Sequence, residues 1–403
     1  MRLGEDVMGS NAAVRDDVPT YDFDIYGEPA IKADVHDAFL ALKKEAPPLF
    51  WTPKNGGHWI VTDSDMMIDL LRKPNIFSNE NFSIPHIENI PKTIPLSLDP
   101  PEHRPYRQMM RPFFEKKAIA PLQERIQQWA DRLIGAVKAD GSCEFIDAVG
   151  SRFPVSVFME MLGLPLDRFD EFRALVDENF ALAGTPEVAQ VQQKIVAMLA
   201  DFVKERQADP KDDMMSHIIR SDLDGRALSF EELLSIAHLL FLAGLDTVVN
   251  ALSFSMKHLA IDTALQTRII NDPTCIPDVT EELLRRYSFV NLPRQINEDT
   301  ILGGQKLSKG EKIICPLAMI GWEDKLNEDP MTVSVDRKHY RHGAFGSGIH
   351  TCLGLHLARM ELHIFYETWF REIGRFGLNP DKPRGAMRGG VVWAIEELWL
   401  SWE

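Results

Sequence analysis

The sequence predicts a mainly α-helical protein that carries a few small β-sheets. Apolar residues recur at helical spacing through residues 119–137, 155–162, 167–182 and 188–207, and prolines or glycines separate these segments. A further apolar helix is predicted from a Ser-Phe-Glu-Glu capping box at residues 229–232 to about residue 260. The segments with strand character are short, so we expect helices to form the body of the fold.

The N-terminal region is predicted to combine a helix with a hairpin. Residues 1–20 are polar and are expected to form a disordered tail, which leaves residues 21–403 as a single domain. Residues 35–44 place their apolar side chains on one helical face. The apolar segments 49–51 and 58–61 flank Pro-Lys-Asn-Gly-Gly, a sequence typical of a hairpin turn.

A long irregular segment is expected after this hairpin. A short helix is predicted near residues 64–71, whereas residues 77–98 are rich in Pro, Asn, Ser and Ile and show no period. Long loops in compact domains tend to be functional. A helix is predicted to follow, with Asp99 as its N-cap and prolines in its first turn, and to run toward Phe114.

The C-terminal half adds short strands and a charged pair. Residues 301–304 and 306–314 predict a small sheet, and residues 389–393 predict a strand and turn that touch the functional pocket. Glu282 and Arg285 lie three residues apart on one helix face. Taken alone, that spacing indicates an ordinary surface ion pair.

Composition and charge exclude several classes of function. The 403 residues carry a net charge of −16, which makes nucleic acid an unsuitable partner. The four cysteines are scattered without a CxxC pair, and the N-terminus has no apolar run that could serve as a signal or an anchor. No stretch approaches the uninterrupted apolar length of about 18 residues that spans a membrane. We therefore expect a cytoplasmic monomer without membrane contact.

Residues 345–354, Phe-Gly-Ser-Gly-Ile-His-Thr-Cys-Leu-Gly, form the most informative pattern in the chain. Cys352 precedes a predicted helix start near Leu355, where free backbone N–H groups and the helix dipole favour an anion. This position is expected to lower the pKa of the thiol and to favour the thiolate, the form that binds metal. A lone cysteine is more often a buried structural residue, so the surrounding pattern has to decide between the two.

The pattern Phe-x-x-Gly-x-His-x-Cys-x-Gly resembles the haem-binding loop of the cytochrome P450 family. The resemblance implies the fold of that family, a large helical bundle around a buried haem with small β-sheets. It implies haem b as the cofactor, with Cys352 as the axial thiolate ligand of the iron and Phe345 in the same cofactor site. Such a ligand pushes electron density onto the iron and favours O–O cleavage.

Four basic residues are implied as partners of the haem propionates. The sequence Asp-Pro-Pro-Glu at residues 99–102, followed by Arg107, resembles the helix start that lies beside the haem in this family. Arginine suits the role because its planar fork binds a carboxylate through two hydrogen bonds. Arg294 matches the second propionate-binding arginine, and His350 and His103 are the further candidates.

Residues 243–247, Ala-Gly-Leu-Asp-Thr, conflict with the apolar helix that contains them. Glycine, aspartate and threonine are poor formers of a helix interior, and such conflicts tend to mark functional sites. The simpler interpretation is a kinked core helix in which Thr247 bonds back to a carbonyl. The resemblance implies instead the oxygen-binding helix. There Gly244 would make room for O₂, Thr247 would donate a hydrogen bond during O–O cleavage, and Asp246 would relay protons from solvent.

Within the family, the segments at residues 245–250, 281–286 and 352–359 most resemble the bacterial camphor hydroxylase. The second segment contains Glu282 and Arg285, which in the family form a buried brace behind the haem. The expected substrate contacts differ, because Pro91 stands where the camphor enzyme has a tyrosine that holds the ketone of camphor. The residues expected to line the substrate pocket are Thr93, Leu96, Leu239, Leu242, Ala243, Val290 and Leu292. A norisoprenoid ketone, or a similar apolar terpenoid, is therefore favoured over camphor.

The resemblance predicts a haem–thiolate monooxygenase that hydroxylates this small apolar substrate with O₂. Electrons would come from a 2Fe–2S ferredoxin, itself reduced by an NADH-dependent ferredoxin reductase. The basic residues Arg107, Arg111, Lys116 and Lys117 form either a solvated face or the docking surface for that acidic donor. A peroxide-driven haem enzyme and a non-catalytic haem-binding sensor or carrier are the alternatives. The presence of both Asp246 and Thr247 disfavours both alternatives.

Overall fold

Helices form most of the computed structural model, which describes residues 12, 15 and 17–403. The helices are α1 (Pro29–Ala33), α2 (Val35–Glu45), α3 (Ser64–Leu71), α4 (His103–Met110), α5 (Lys116–Ile119), α6 (Gln123–Val137), α7 (Arg152–Leu162), α8 (Phe169–Ala181), α9 (Val188–Ala208), α10 (Met214–Ile219), α11 (Phe230–Gly244), α12 (Thr247–Leu259), α13 (Thr263–Asn271), α14 (Ile276–Arg286), α15 (Ala318–Gly321) and α16 (Leu355–Glu372). The strands are β1 (Leu49–Thr52), β2 (His58–Val61), β3 (Phe77–Ser78), β4 (Ser142–Glu144), β5 (Asp222–Leu223), β6 (Arg226–Ala227), β7 (Asn291–Ile296), β8 (Thr300–Leu302), β9 (Gln305–Leu307), β10 (Lys312–Pro316), β11 (Phe376–Leu378), β12 (Met387–Arg388), β13 (Ala394–Ile395) and β14 (Trp399–Trp402). The predicted fold class, mainly α with small sheets, is confirmed.

The main sheet has five strands in the order β1-β2-β10-β7-β3. β1 and β2 form the predicted antiparallel hairpin, and β10 runs parallel to β2. β7 is antiparallel to β10 and places Arg294 opposite Ile313, on an inner strand of the sheet. The long loop predicted for residues 77–98 begins with the two-residue edge strand β3 and then leaves the sheet. The sheet therefore positions both a buried arginine and the start of the loop.

The predicted N-terminal tail, residues 1–20, lies mostly outside the described residues. Of its described part, Arg15 lies over the ring of Trp51 at 5.2 Å and binds Glu311 at 2.7 Å, and Thr20 pairs with Trp51. One contiguous hydrophobic core runs from Phe23 to Leu400, as a single domain requires. The domain organisation itself stays a prediction.

The apolar helix predicted for residues 229–260 is two helices, α11 and α12. The capping box forms as predicted, because Glu232 N donates to Ser229 Oγ and Ser229 N donates to the Glu232 carboxylate at 2.6 Å. Asp246 then leaves helical geometry at φ −133° and ψ −34°. The stretch Phe230–Leu259 is long and apolar enough to span a membrane. Half of its most apolar window is buried inside the protein, however, and the core helix of a protein can have the same length and composition.

Asp99 does not cap the helix that follows it. Helix α4 begins at His103, and the Asp99 carboxylate instead accepts hydrogen bonds from Asn79 N at 3.0 Å and from the Ser78 hydroxyl. The physical reason is that Ser78 and Asn79, distant in sequence, supply the donors for this carboxylate, and Pro101, two residues after the predicted cap, has no N–H group to compete. Asp99 therefore ties the start of α4 to the end of β3.

Glu282 and Arg285 form a fully buried ion pair on α14. Two hydrogen bonds of 2.6 and 2.8 Å join their side chains, and Arg337 adds a third charge at 2.9 Å. Arg285 also donates to the carbonyl oxygens of Gly321 and Pro330, each at 2.6 Å. This network braces α14 against residues 321–337, so the pair is structural and not the surface pair that its spacing alone indicates.

Replacing one partner of this buried pair should destabilise the fold strongly. We expect Glu282→Gln to lower the free energy of unfolding by about 3–5 kcal/mol, because two buried guanidinium groups lose their counter-charge. Denaturant unfolding monitored by circular dichroism measures the change. The exposed pair Arg168–Glu171 provides the matched control, and Glu171→Gln should cost at most about 1 kcal/mol. Equal losses in the two variants would contradict the assigned role.

Candidate active site

The loop before α16 holds Cys352 at its open end. Gly346 and Gly348 adopt φ values of +71° and +76°, and a Cβ on Gly348 would lie 2.5 Å from the carbonyl oxygen of Leu71. Only glycine accepts this combination of backbone angle and contact. The loop closes when Cys352 N donates to Phe345 O at 2.9 Å. The Cys352 side chain is exposed as a result, whereas the other three cysteines are buried.

An aromatic and ionic contact braces this loop against α14. The Arg359 guanidinium lies 4.5 Å from the centre of the Phe345 ring and pairs with both oxygens of Glu281. Burial raises the pKa of the Glu281 carboxyl, but hydrogen bonds from Arg359 and His342 outweigh burial and lower it to about 2. Phe345, the residue predicted to belong to the cofactor site, thus fixes the loop to the core.

The expected lowering of the Cys352 pKa is wrong for the polypeptide alone. Surrounding protein raises the pKa of the thiol by desolvation, and this effect outweighs the Gly354 N–H group and the charges of Arg107 and Arg359, which lower it. The helix start therefore does not create a thiolate by itself. A cation coordinated by the Cys352 sulfur would stabilise the thiolate directly.

The four predicted propionate partners are brought together beside this loop. The rings of His103 and His350 meet edge to face with centroids 4.5 Å apart, and neither Nε2 atom has a partner. Burial, together with the charges of His103, Arg294 and Arg107, lowers the pKa of His350 to about 3. Burial likewise lowers the pKa of His103 to about 4. These charge effects and the ring contact place the four side chains near one another.

The two arginines fit the predicted haem because no carboxylate among the described residues forms a salt bridge with either of them. Arg294 is 3% exposed, its one side-chain hydrogen bond within the described part of the chain goes to Pro293 O at 2.7 Å, and burial lowers its pKa to about 10. Arg107 donates to Thr351 O and is close enough for the charge of Cys352 to affect its pKa. Buried guanidinium groups are normally paired with carboxylates. Two carboxylates of a bound ligand, next to an exposed thiol, would complete this arrangement.

A cavity of about 640 Å³ includes Arg294 in its lining. Its walls come from the loop at residues 79–97, from residues 179–192, from α11 and the start of α12, from residues 290–294 and from residues 391–392. All of the predicted pocket residues line it, namely Thr93, Leu96, Leu239, Leu242, Ala243, Val290 and Leu292. Ala243 is exposed although it lies within an apolar helix, because it faces this space. The C-terminal segment predicted to touch the pocket contributes Val391 and Val392.

Sequence analysis missed Tyr26, which joins three walls of the cavity. Its hydroxyl donates to Ile84 O at 2.8 Å, in the loop at residues 79–97. One edge of its ring contacts Gly184, where a Cβ would lie 2.7 Å from the ring, and the opposite edge contacts Gly390. No local signal identifies this role, since the three partners are distant in sequence.

Asp246 is buried at the break between α11 and α12. It accepts a hydrogen bond from Asn250 at 2.6 Å and lies 3.4 Å from the Arg173 guanidinium. Burial raises the pKa of its carboxyl, although Arg173, Arg388 and Asn250 act in the opposite direction. Arg173 also donates to Leu245 O at 2.9 Å and pairs with Asp177, whose side chain is half exposed. A chain of charged groups thus leads from Asp246 to solvent, and Arg173 was not predicted.

Thr247 and Gly244 occupy different faces of the same break. The Thr247 hydroxyl donates to Ala243 O at 2.9 Å, as the simpler interpretation of the sequence predicts, and Thr247 also lines the cavity. Gly244 is not among the described residues that line the cavity. A Cβ at Gly244 would overlap the ring of Phe158 on α7. The glycine therefore permits close packing of α11 against α7.

Comparisons with known proteins agree with these observations. The sequence model of the family Cytochrome P450 matches residues 184–383. The chain is 30% identical to Probable cytochrome P450 127A1 of Sinorhizobium fredii over 93% of this chain and 91% of that protein. It is 26% identical to Linalool 8-monooxygenase of Pseudomonas putida, covering 85% of this chain and 90% of that protein. The crystal structure of CYP101J2 superimposes with a TM-score of 0.87 at 32% identity, covering 97% of this chain and all of that one.

Enlarging Gly244 should disturb the contact between α11 and α7. We expect Gly244→Ala to lower the free energy of unfolding by about 1–3 kcal/mol, because the added methyl overpacks a dense interface. Thermal unfolding measures this loss. The double variant Gly244→Ala with Phe158→Leu should regain part of it, since the smaller side chain vacates the space. A methyl group that is tolerated without Phe158→Leu would contradict the packing explanation.

Proposed function

The chain belongs to the cytochrome P450 family, and on this basis we propose that it hydroxylates an apolar, terpenoid-like molecule, with a norisoprenoid ketone favoured over camphor. It is a cytochrome P450 monooxygenase, and its cofactor is haem b with an axial cysteine thiolate. The observation that carries the substrate proposal is the apolar cavity of about 640 Å³ beside Arg294. The relative named for linalool oxidation supports a terpenoid substrate.

Five residues would hold the cofactor in this proposal. Cys352 would supply the thiolate, Arg107 and Arg294 would supply positive charge for the two propionates, and the neutral imidazoles of His103 and His350 would supply hydrogen-bond donors. When bound, the haem supplies the activation of dioxygen and the oxidation of the substrate. The remaining steps, which are binding, exclusion of water and movement of protons, belong to the polypeptide.

Asp246 is proposed to carry protons to the cavity. Its raised pKa makes the carboxyl a better proton carrier near neutral pH than an ordinary aspartate. Arg173 and the half-exposed Asp177 connect it to solvent, and Thr247 lies at the cavity end of the path. This acid–alcohol pair supports oxygen-dependent turnover over peroxide-driven turnover.

The electron donor is proposed to be a 2Fe–2S ferredoxin that an NADH-dependent reductase reduces. The likeness to CYP101J2 supports a ferredoxin system. Exposed cations lie close to the Cys352 loop, since Lys116 affects the pKa of His356 and Arg111 affects that of Arg107. Together with Lys117 they give an otherwise acidic protein a basic surface for an acidic partner. The likeness to bacterial relatives supports a cytoplasmic location.

Absorption spectroscopy tests the proposed cofactor ligand and substrate. We expect the reduced protein under carbon monoxide to show the strongly red-shifted Soret band of thiolate ligation, and Cys352→His to lose it while retaining haem. Titration of the ferric protein should produce a low-to-high-spin shift with β-ionone and a weaker one with camphor. A stronger response to camphor would contradict the substrate proposal, and a histidine-type spectrum of the unmodified protein would contradict the ligand.

Replacing Asp246 should slow turnover without removing the cofactor. We expect Asp246→Asn to lower the turnover number by about 100-fold, the range of a positioned acid, and to leave the carbon monoxide spectrum unchanged. The solvent deuterium isotope effect on turnover should rise, because proton delivery becomes limiting. Asp170→Asn, at an exposed carboxylate on the same helix as Arg173, is the control and should have no effect. Unchanged turnover in Asp246→Asn would refute the relay.

A further inference from the structure

The cavity contains a buried hydrogen-bond donor that the protein does not use. Among the described residues that line it, the buried side-chain atoms without a partner are Asn79 Oδ1, Thr93 Oγ1 and Gln192 Oε1. The amide oxygens of Asn79 and Gln192 only accept hydrogen bonds, whereas the Thr93 hydroxyl can also donate. Of these three atoms, the Thr93 hydroxyl oxygen is therefore the one that can donate a hydrogen bond to a ligand.

A compact turn fixes the position of Thr93 without using its hydroxyl. Ser97 N donates to Thr93 O at 2.9 Å, and Thr93 N donates to Ser97 Oγ at 3.0 Å. Asn79 Nδ2 donates to Leu96 O at 2.6 Å and anchors the same turn to the end of β3. Thr93 is only 4% exposed. These bonds satisfy and fix the backbone of Thr93, and they leave its side-chain hydroxyl free to serve a ligand.

Leaving this hydroxyl unpaired is unfavourable. A buried hydroxyl without a partner costs stability, and valine has the same shape without that cost. One rotation about χ1 exchanges the hydroxyl and methyl branches of threonine, so the hydroxyl can turn toward a molecule in the cavity. Other side-chain donors in the wall compete poorly. His86 and Lys92 are exposed, so water competes for their hydrogen bonds, and Arg294 is assigned to the proposed propionate site.

We propose that the Thr93 hydroxyl donates the hydrogen bond that orients the substrate, through a single acceptor oxygen on an otherwise apolar molecule. This inference rests on the proposed function, since it assumes that the cavity is the substrate site. It narrows the substrate class to apolar ketones and related compounds with one acceptor. Pro91, two residues earlier, has no side-chain donor and cannot take this role.

The test compares two ligands that differ by the acceptor oxygen. Dissociation constants of the haem-loaded protein are measured by spin-shift titration with β-ionone and with the hydrocarbon that lacks its carbonyl oxygen. We expect Thr93→Val to weaken the binding of the ketone about fivefold and to leave the hydrocarbon unchanged, as the loss of one buried hydrogen bond predicts. Thr93→Ser should retain the affinity for the ketone.

Two further measurements separate this role from a general effect on the cavity. Gln192→Leu removes an unpaired acceptor from the same cavity and should not change the preference for the ketone. Thr93→Val should melt at the same temperature as the unmodified ligand-free protein or higher, because it removes an unpaired hydroxyl. A lower melting temperature would show that the fold uses the hydroxyl after all, which overturns the inference.

The outcomes distinguish the inference from the function on which it rests. If the unmodified protein binds neither ligand, the proposed substrate class is wrong and the inference fails with it. If it binds both ligands, and Thr93→Val changes neither dissociation constant or both equally, the function stands and the role of Thr93 is overturned.

Discussion

Buried positive charge without a carboxylate partner governs the organisation of this site. The guanidinium groups of Arg294, on an inner strand, and Arg107, on α4, converge with two neutral histidines beside the Cys352 loop, and no carboxylate is among the hydrogen-bond partners of these described side chains. Removing a cation from water without a partner costs several kcal/mol. A ligand that brings two carboxylates removes this cost, so cofactor binding and folding stability are coupled in this protein.

The loop around Cys352 likewise leaves one electrostatic requirement, the ionisation of the thiol, unmet by the polypeptide. Its glycines and its aromatic brace place the thiol at an open end, but the surrounding protein does not ionise it. The polypeptide provides shape, positive charge and access, and it leaves the ionisation of the thiol to the metal. A site of this kind is specific for its cofactor without forming a metal cage of its own.

Local sequence signals predict several elements of the fold and the loop that carries Cys352. The helices at residues 35–45 and 64–71, the first hairpin and the Cys352 loop follow from periodicity, turn residues and one long motif. Contacts between residues distant in sequence could not be predicted in this way. The bonds of Asp99 to β3, the desolvation of Cys352 and the packing of Gly244 against Phe158 depend on tertiary neighbours that no short window contains.

The position of Tyr26 constrains how the sequence around the cavity can change. Its ring lies between Gly184 and Gly390, and its hydroxyl donates a hydrogen bond to Ile84 O in the loop at residues 79–97. A larger residue at Gly184 or at Gly390 must displace the same ring, and displacing the ring releases Ile84 O. The effects of substitutions in these three walls are therefore epistatic. A change of substrate range that alters these walls therefore requires coordinated replacements.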